Sequence, residues 1–168
     1  SQKNFFEFNF ESLKIFLIKD LEIEEKKVSM RSKQIWQSVY KKGSFKIDNL
    51  TTFPLELRSK LSSLISLQKP KITKTQTSSD GTVKWLIKLF DGNEVECVYI
   101  PEKTRATLCI SSQVGCTLNC RFCHTGTQRL VKNLSFAEIV NQVMIAKEQI
   151  NDWKEQKKIT NIVLMGMG

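Results

Sequence analysis

Residues 105–128 read RATLCISSQVGCTLNCRFCHTGTQ, and residues 159–168 read ITNIVLMGMG. The first stretch opens as a strand over about 105–111 and runs into a loop dense in Cys, Gly and Thr, from Ser112 to Gln128. Downstream, Ser135 and Glu138 in SFAE form a capping box, which opens a helix. That helix is expected to reach about Ile150, with Ile139, Val140, Val143 and Met144 turned inward. The second stretch is a nearly uninterrupted apolar run. A run of that kind is expected to be a parallel strand buried on both faces. Strand, loop, helix and strand make a βαβ unit.

The loop holds Cys116, Cys120 and Cys123 in the spacing C-x3-C-x2-C. Three thiolates on a tight loop can each bind one iron of a [4Fe-4S] cubane, which leaves the fourth iron open. An open metal position can take a small chelating molecule. The alternative is a zinc site made of these three thiolates and His124. Against it, His124 directly follows Cys123, and zinc sites tend to use two separated ligand pairs.

Upstream, two Asp-Gly pairs, Asp80-Gly81 and Asp91-Gly92, sit between alternating runs. They predict hairpins with type I′ turns joining strands over about 71–79, 82–90 and 94–100. Pro101 stops the third strand. Before Pro70 the period is helical. SLKIFLIKDL is apolar on nearly every side. SMRSKQIWQSVYKKG places Ile35, Trp36, Val39 and Tyr40 on one face, with Gly43 as the residue after the helix. At that spacing Trp36 and Tyr40 read as core rather than as base-stacking platforms. Pro54 opens a third helix, with Leu55, Leu57, Leu61, Leu64 and Ile65 as its apolar side.

The chain has 168 residues, with 26 Lys+Arg against 17 Asp+Glu and a net charge of +9. Between Arg31 and Lys74, ten basic residues face only Asp48 and Glu56, so this stretch holds eight of the nine net charges. Such a segment points to a polyanionic partner, most often nucleic acid. No apolar run approaches the ~18 residues of a membrane span. The start lacks a signal-peptide pattern, and five cysteines are an odd number for a disulfide framework. A cytoplasmic protein with reduced thiols is expected. One βαβ unit buries only one face of an unfinished sheet, so the chain is expected to be the N-terminal part of a longer design.

The quoted stretches, with the intervening RLVKNLSFAEIVNQV, closely resemble the RlmN-type dual-specificity RNA methyltransferases of the radical S-adenosylmethionine superfamily. The likeness runs from about Arg31 to Gly168 and is most specific over 96–134. It implies an enzyme that methylates C2 of adenine in 23S rRNA and in tRNA through a methylcysteine. A related class acts at C8 of the same rRNA adenine, but the accessory region here is more like the C2 enzymes. The implied cofactors are a [4Fe-4S] cluster and S-adenosyl-L-methionine. The implied partners are 23S rRNA, tRNA and an electron donor for cluster reduction, with no membrane and a monomeric full-length enzyme.

Residue by residue, the resemblance makes Cys116, Cys120 and Cys123 the cluster ligands. It makes Cys109 a second catalytic cysteine, whose thiolate releases the product and ends in a disulfide. Glu96 becomes the proton acceptor, and Gly168 a contact to S-adenosylmethionine. Cys97 has no counterpart role and reads as a packed strand thiol. The methyl-accepting cysteine is not among these 168 residues.

The expected fold class is α/β. A small helical domain spans 1–69 and is the accessory RNA-binding part. A β-hairpin extension spans 70–104, and the first βα units of an incomplete partial (β/α) barrel span 105–168. The competing function is a non-catalytic RNA-binding module with a structural zinc site.

Overall fold

The structure is a computed structural model in which residues 1–115, 132–153 and 157–165 are described. The fold is mixed α/β, and the chain divides into two compact units, Ser1–Gln68 and a second beginning at Lys69.

The first unit is helical. α1 (Phe10–Leu21) starts at a capping box in which Asn9 and Ser12 satisfy each other's backbone N–H groups. α2 (Glu25–Tyr40) ends where Gly43 takes φ +67°; there Gly43 N–H bonds to Val39 O and Ser44 N–H to Ser38 O. This is a glycine stop that a side chain would strain. Ile35 and Val39 are buried, while Trp36 and Tyr40 pack among Phe5, Phe6 and Phe10. Burial pushes the Tyr40 hydroxyl up to about 12. Trp36 and Tyr40 are partly buried and belong to this aromatic cluster beside the core.

α3 (Leu55–Leu64) departs from expectation at its start. Pro54 is the cap rather than the first helical residue, and Leu55 is 74% exposed. The first turn faces solvent, and only from Leu61 does the helix enter the core. Two short strands that no periodicity announced close the unit: β1 (Lys3–Asn4) runs parallel to β2 (Ile65–Ser66).

The second unit is a five-stranded sheet in the order β3-β4-β5-β6-β9. β3 (Lys71–Thr77), β4 (Val83–Lys88), β5 (Glu94–Pro101) and β6 (Ala106–Ser111) form an antiparallel meander. After β6 the chain crosses through α4 (Phe136–Ile150) to β9 (Asn161–Met165), which pairs parallel to β6. One face of the sheet buries Trp85, Ile87, Val95, Cys97, Leu108 and Ile110 with Ile145 and Ala146 of α4.

Three expectations change here. The Asp-Gly turns are not type I′, because only the glycines have positive φ, +90° at both Gly81 and Gly92. In each, a turn bond closes onto the glycine (Gly81 N–H to Ser78 O, Gly92 N–H to Leu89 O). The next residue then re-enters the ladder (Ser78 N–H to Thr82 O, Leu89 N–H to Asn93 O). This is a type I turn followed by a glycine bulge. The aspartates cap their own turns, accepting from Thr82 and Asn93 N–H.

Second, the buried side of α4 is Ala137, Asn141, Gln142, Met144, Ile145 and Ala146; Ile139, Val140 and Val143 are only partly buried. Met144 is buried as expected and Ile139 and Val143 pack against the core, but two amides, Asn141 and Gln142, also sit inward. Third, β9 is not buried on both faces, since Ile162, Val163 and Leu164 are 53%, 47% and 44% exposed. Among the described residues β9 is the sheet's edge.

Candidate active site

Strand alternation places the candidate side chains. On β5, Val95, Cys97 and Tyr99 turn into the core under α4, so Glu96 and Val98 face the other way. Cys109 pairs directly with Val98. Residues opposite each other in an antiparallel pair share a face, so Cys109 and Glu96 lie on one open face as diagonal neighbours, about 7–8 Å apart.

The two described cysteines differ sharply. Cys97 is fully buried with its Sγ 4.0 Å from Gln142 O. Burial, with a smaller contribution from nearby Cys109, pushes its thiol up to about 12. It is therefore protonated at neutral pH and packs as a small apolar residue. Cys109 is half-buried and free. Glu96 is half-exposed, and its carboxylate is paired with Lys84 Nζ at 2.9 Å. An exposed pair of this kind adds little stability, but it fixes which way the carboxylate points.

The strand carrying Cys109 ends in an unusual fitting. Past the Val98–Cys109 pair, Ser111 has left the β5 ladder. Its N–H donates to Gln142 Oε1 and its carbonyl accepts from Gln142 Nε2, both at 2.8 Å and both buried. Its hydroxyl donates to Glu96 O at 2.7 Å. One inward amide on α4 thus replaces a strand partner, which explains why a polar residue occupies that face. Sequence periodicity missed Gln142 because it scores inward positions by hydrophobicity.

Beyond Ser111, β7 (Gln113–Val114) pairs antiparallel with β8 (Lys132–Asn133). The segment holding the three-cysteine motif therefore leaves and returns at the end of β6, with Gly115 at φ +82° beside it. Lys132 ties this base down by ion pairs to Asp91 in the β4–β5 turn and to Glu138 in the α4 capping box, the latter at 2.7 Å.

Cys116, Cys120, Cys123, His124 and Gly168 lie outside the described residues. Among the described residues no group of three or more metal-ligating side chains gathers. The donor chemistry of the motif, three thiols on a segment closed at its base, suits an iron–sulfur cluster. No helix among the described residues is long and apolar enough to cross a membrane.

No family model matches the chain. It is 47% identical over 161 residues to the dual-specificity RNA methyltransferase RlmN of Bradyrhizobium sp. (strain ORS 278), covering 89% of this chain and 40% of that protein. It is 45% identical over 154 residues to the RlmN of Zymomonas mobilis, covering 90% and 39%. A crystal structure of a radical SAM methyltransferase from Sphaerobacter thermophilus superposes with a TM-score of 0.82 at 31% identity, covering 98% of this chain and 47% of that one. The chain spans about two-fifths of the length of the curated relatives it matches. On this likeness in sequence and fold, the chain belongs to the RlmN family of radical S-adenosylmethionine methyltransferases.

Proposed function

We propose that the protein methylates C2 of adenine in 23S rRNA and in tRNA, with this chain supplying the cluster-binding segment and the reactive sheet face. The observation that supports this best is the placement of Cys109 and Glu96 on one open face, on strands next to the point where the three-cysteine segment departs. In this reading Cys116, Cys120 and Cys123 hold a [4Fe-4S] cluster, and Gly168 lets backbone approach S-adenosylmethionine. Cluster and S-adenosylmethionine supply the one-electron chemistry that an electron-poor carbon such as adenine C2 requires.

The chain's own groups do the rest. The Glu96 carboxylate, steadied by Lys84, accepts the C2 proton. Cys109 as thiolate attacks the sulfur of the enzyme's methylcysteine. The bond from that sulfur to the transferred carbon breaks towards the RNA, that carbon takes up a proton to complete the methyl group, and the two sulfurs end as a disulfide that a thiol donor reduces. Residues 1–69 serve as the accessory RNA-binding domain, 70–104 as the hairpin extension and 105–168 as the start of the barrel. The setting is the cytoplasm, and an external electron donor reduces the cluster.

Anaerobic reconstitution of the chain with iron and sulfide tests the reading. A brown protein whose reduced EPR signal changes with S-adenosylmethionine supports it. Stoichiometric zinc without cluster uptake overturns it in favour of a structural zinc module. In the complete polypeptide, Cys109→Ala should accumulate a covalent protein–RNA adduct. Normal release of methylated RNA would remove the role given to Cys109.

A further inference from the structure

The open face that carries Glu96 continues across β4 and β3, and its charge is organised. The register pairs Lys71 with Lys88, Lys74 with Leu86 and Gln76 with Lys84. It also pairs Leu86 with Glu96 and Lys88 with Glu94. All of these side chains lie on the face away from the buried Trp85 and Ile87.

Lys71 and Lys74 share this face only because of a bulge. The register slips between Ile72 and Lys74, leaving Thr73 as an extra residue. Without the slip, strict alternation would put Lys74 on the opposite side from Lys71. The slip re-aims Lys74, and Gln76 after it, onto the open face.

One further feature is costly for a merely solvated surface, and a second leaves cations free to take a ligand. Lys71 and Lys88 stand directly opposite each other, a like-charge pair that destabilises a sheet. Lys71, Lys74 and Lys88 form no ion pair among the described residues, whereas Lys84 is held by Glu96. A groove of about 270 Å³ lined by Lys74, Gln76, Lys84, Leu86 and Glu96 runs over this surface. It offers two cations, an amide and an apolar floor, and it ends at the candidate proton acceptor.

We propose that this face, from Lys71 and Lys88 through Lys74 to Lys84, is a phosphate-binding track that carries the RNA strand towards Glu96 and Cys109. The inference rests on the RNA-methyltransferase reading and adds where the strand lies. Cationic side chains fix position and register on the sugar–phosphate chain, and Gln76 adds a neutral donor and acceptor. An unpaired ammonium is the better phosphate ligand, because no carboxylate has to be displaced first.

The test is fluorescence anisotropy of a short labelled RNA stem-loop bearing a loop adenine, with the 168-residue chain, over a series of salt concentrations. The variant is Lys71→Gln, Lys74→Gln and Lys88→Gln combined. The matched control removes three exposed lysines elsewhere: Lys19→Gln, Lys103→Gln and Lys157→Gln. Circular dichroism checks the fold of each. Each lost phosphate contact lowers the slope of log affinity against log salt by about 0.7–0.9, so the sheet variant should show a slope shallower by about two to three and a loss of about tenfold or more. The control, and arginine at the same three sheet positions, should keep the wild-type slope. A sheet variant with unchanged affinity and slope overturns the track but leaves the RNA reading standing. Equal loss in the control also overturns it, since bulk charge would then be the cause. Failure of the wild-type chain to bind the RNA at all brings down both.

Discussion

Cys97 and Cys109 sit on neighbouring strands and face opposite sides of one sheet, and that difference assigns their chemistry. The buried thiol holds its proton, while the half-exposed one shares a face with Glu96. Composition cannot separate two cysteines in two apolar strands; pleat and register can. Gln142 acts at the same scale. Replacing it by Leu leaves the buried N–H and carbonyl of Ser111 without partners, at about 1–3 kcal/mol each. Gln142→Leu should therefore lose about 2–6 kcal/mol in a urea titration. A loss under about 0.5 kcal/mol would mean that water or another group replaces the amide. Glu96, Cys109 and the three loop cysteines were all legible in the sequence as motif matches. Gln142, Ser111 and Lys84 were not, because they work through contacts between residues far apart in the chain.

The turns and the base of the loop decide the behaviour of the elements. Gly81 and Gly92 both have φ +90°, where an L side chain costs about 1–2 kcal/mol. A Cβ on Gly81 would also meet Pro101 Cγ at 3.2 Å, whereas one on Gly92 meets nothing within 4 Å. Both alanine variants should melt below the wild type, Gly81→Ala by more; equal shifts would show that Pro101 yields without cost. Lys132 joins the β4–β5 turn, β8 and α4. Its ammonium, with the Asn93 N–H, holds the Asp91 carboxyl down from 3.8 to about 2. Because the folded value is depressed, this contribution is complete above 3.8 and is lost as pH falls through about 2. An NMR titration should place the Asp91 midpoint near 2, and Lys132→Gln should return it towards 3.8. An unchanged midpoint would show that the backbone bond alone is responsible. The Asp-Gly pairs located the hairpins well, yet the turn type came out differently. Aspartate has its own side-chain bond to make and keeps a negative φ.

At the scale of the whole molecule, the helical residues up to Gln68 hold their own core of Phe5, Phe6, Leu13, Leu17, Ile35, Leu61 and Ile65. β1 and β2 join the two ends of that unit. Gln2 Nε2 and Asn4 Nδ2 add bonds to the Ser62 and Gln68 carbonyls. A polypeptide of residues 1–68 should melt cooperatively with a helical circular dichroism spectrum. One ending at residue 64 should melt lower, having lost the partner of β1. Equal melting of the two would show that the strand pair contributes nothing. The sequence by itself determined the main helices and strands and their order, because helical and strand periodicities are local and the turn residues punctuate them; the two-residue strands β1, β2, β7 and β8 are too short to leave such a pattern. It also located the three-cysteine motif, because three thiols at fixed short spacing are a property of one segment. Tertiary structure alone decided which face each side chain joins. A one-residue slip at Thr73 puts Lys74 on the open face, and the α4 packing turns Asn141 and Gln142 inward. Among the described residues β9 lies at the sheet's edge, and its exposure has a related reason: burial depends on what packs against a strand, and a strand's own residues do not specify that.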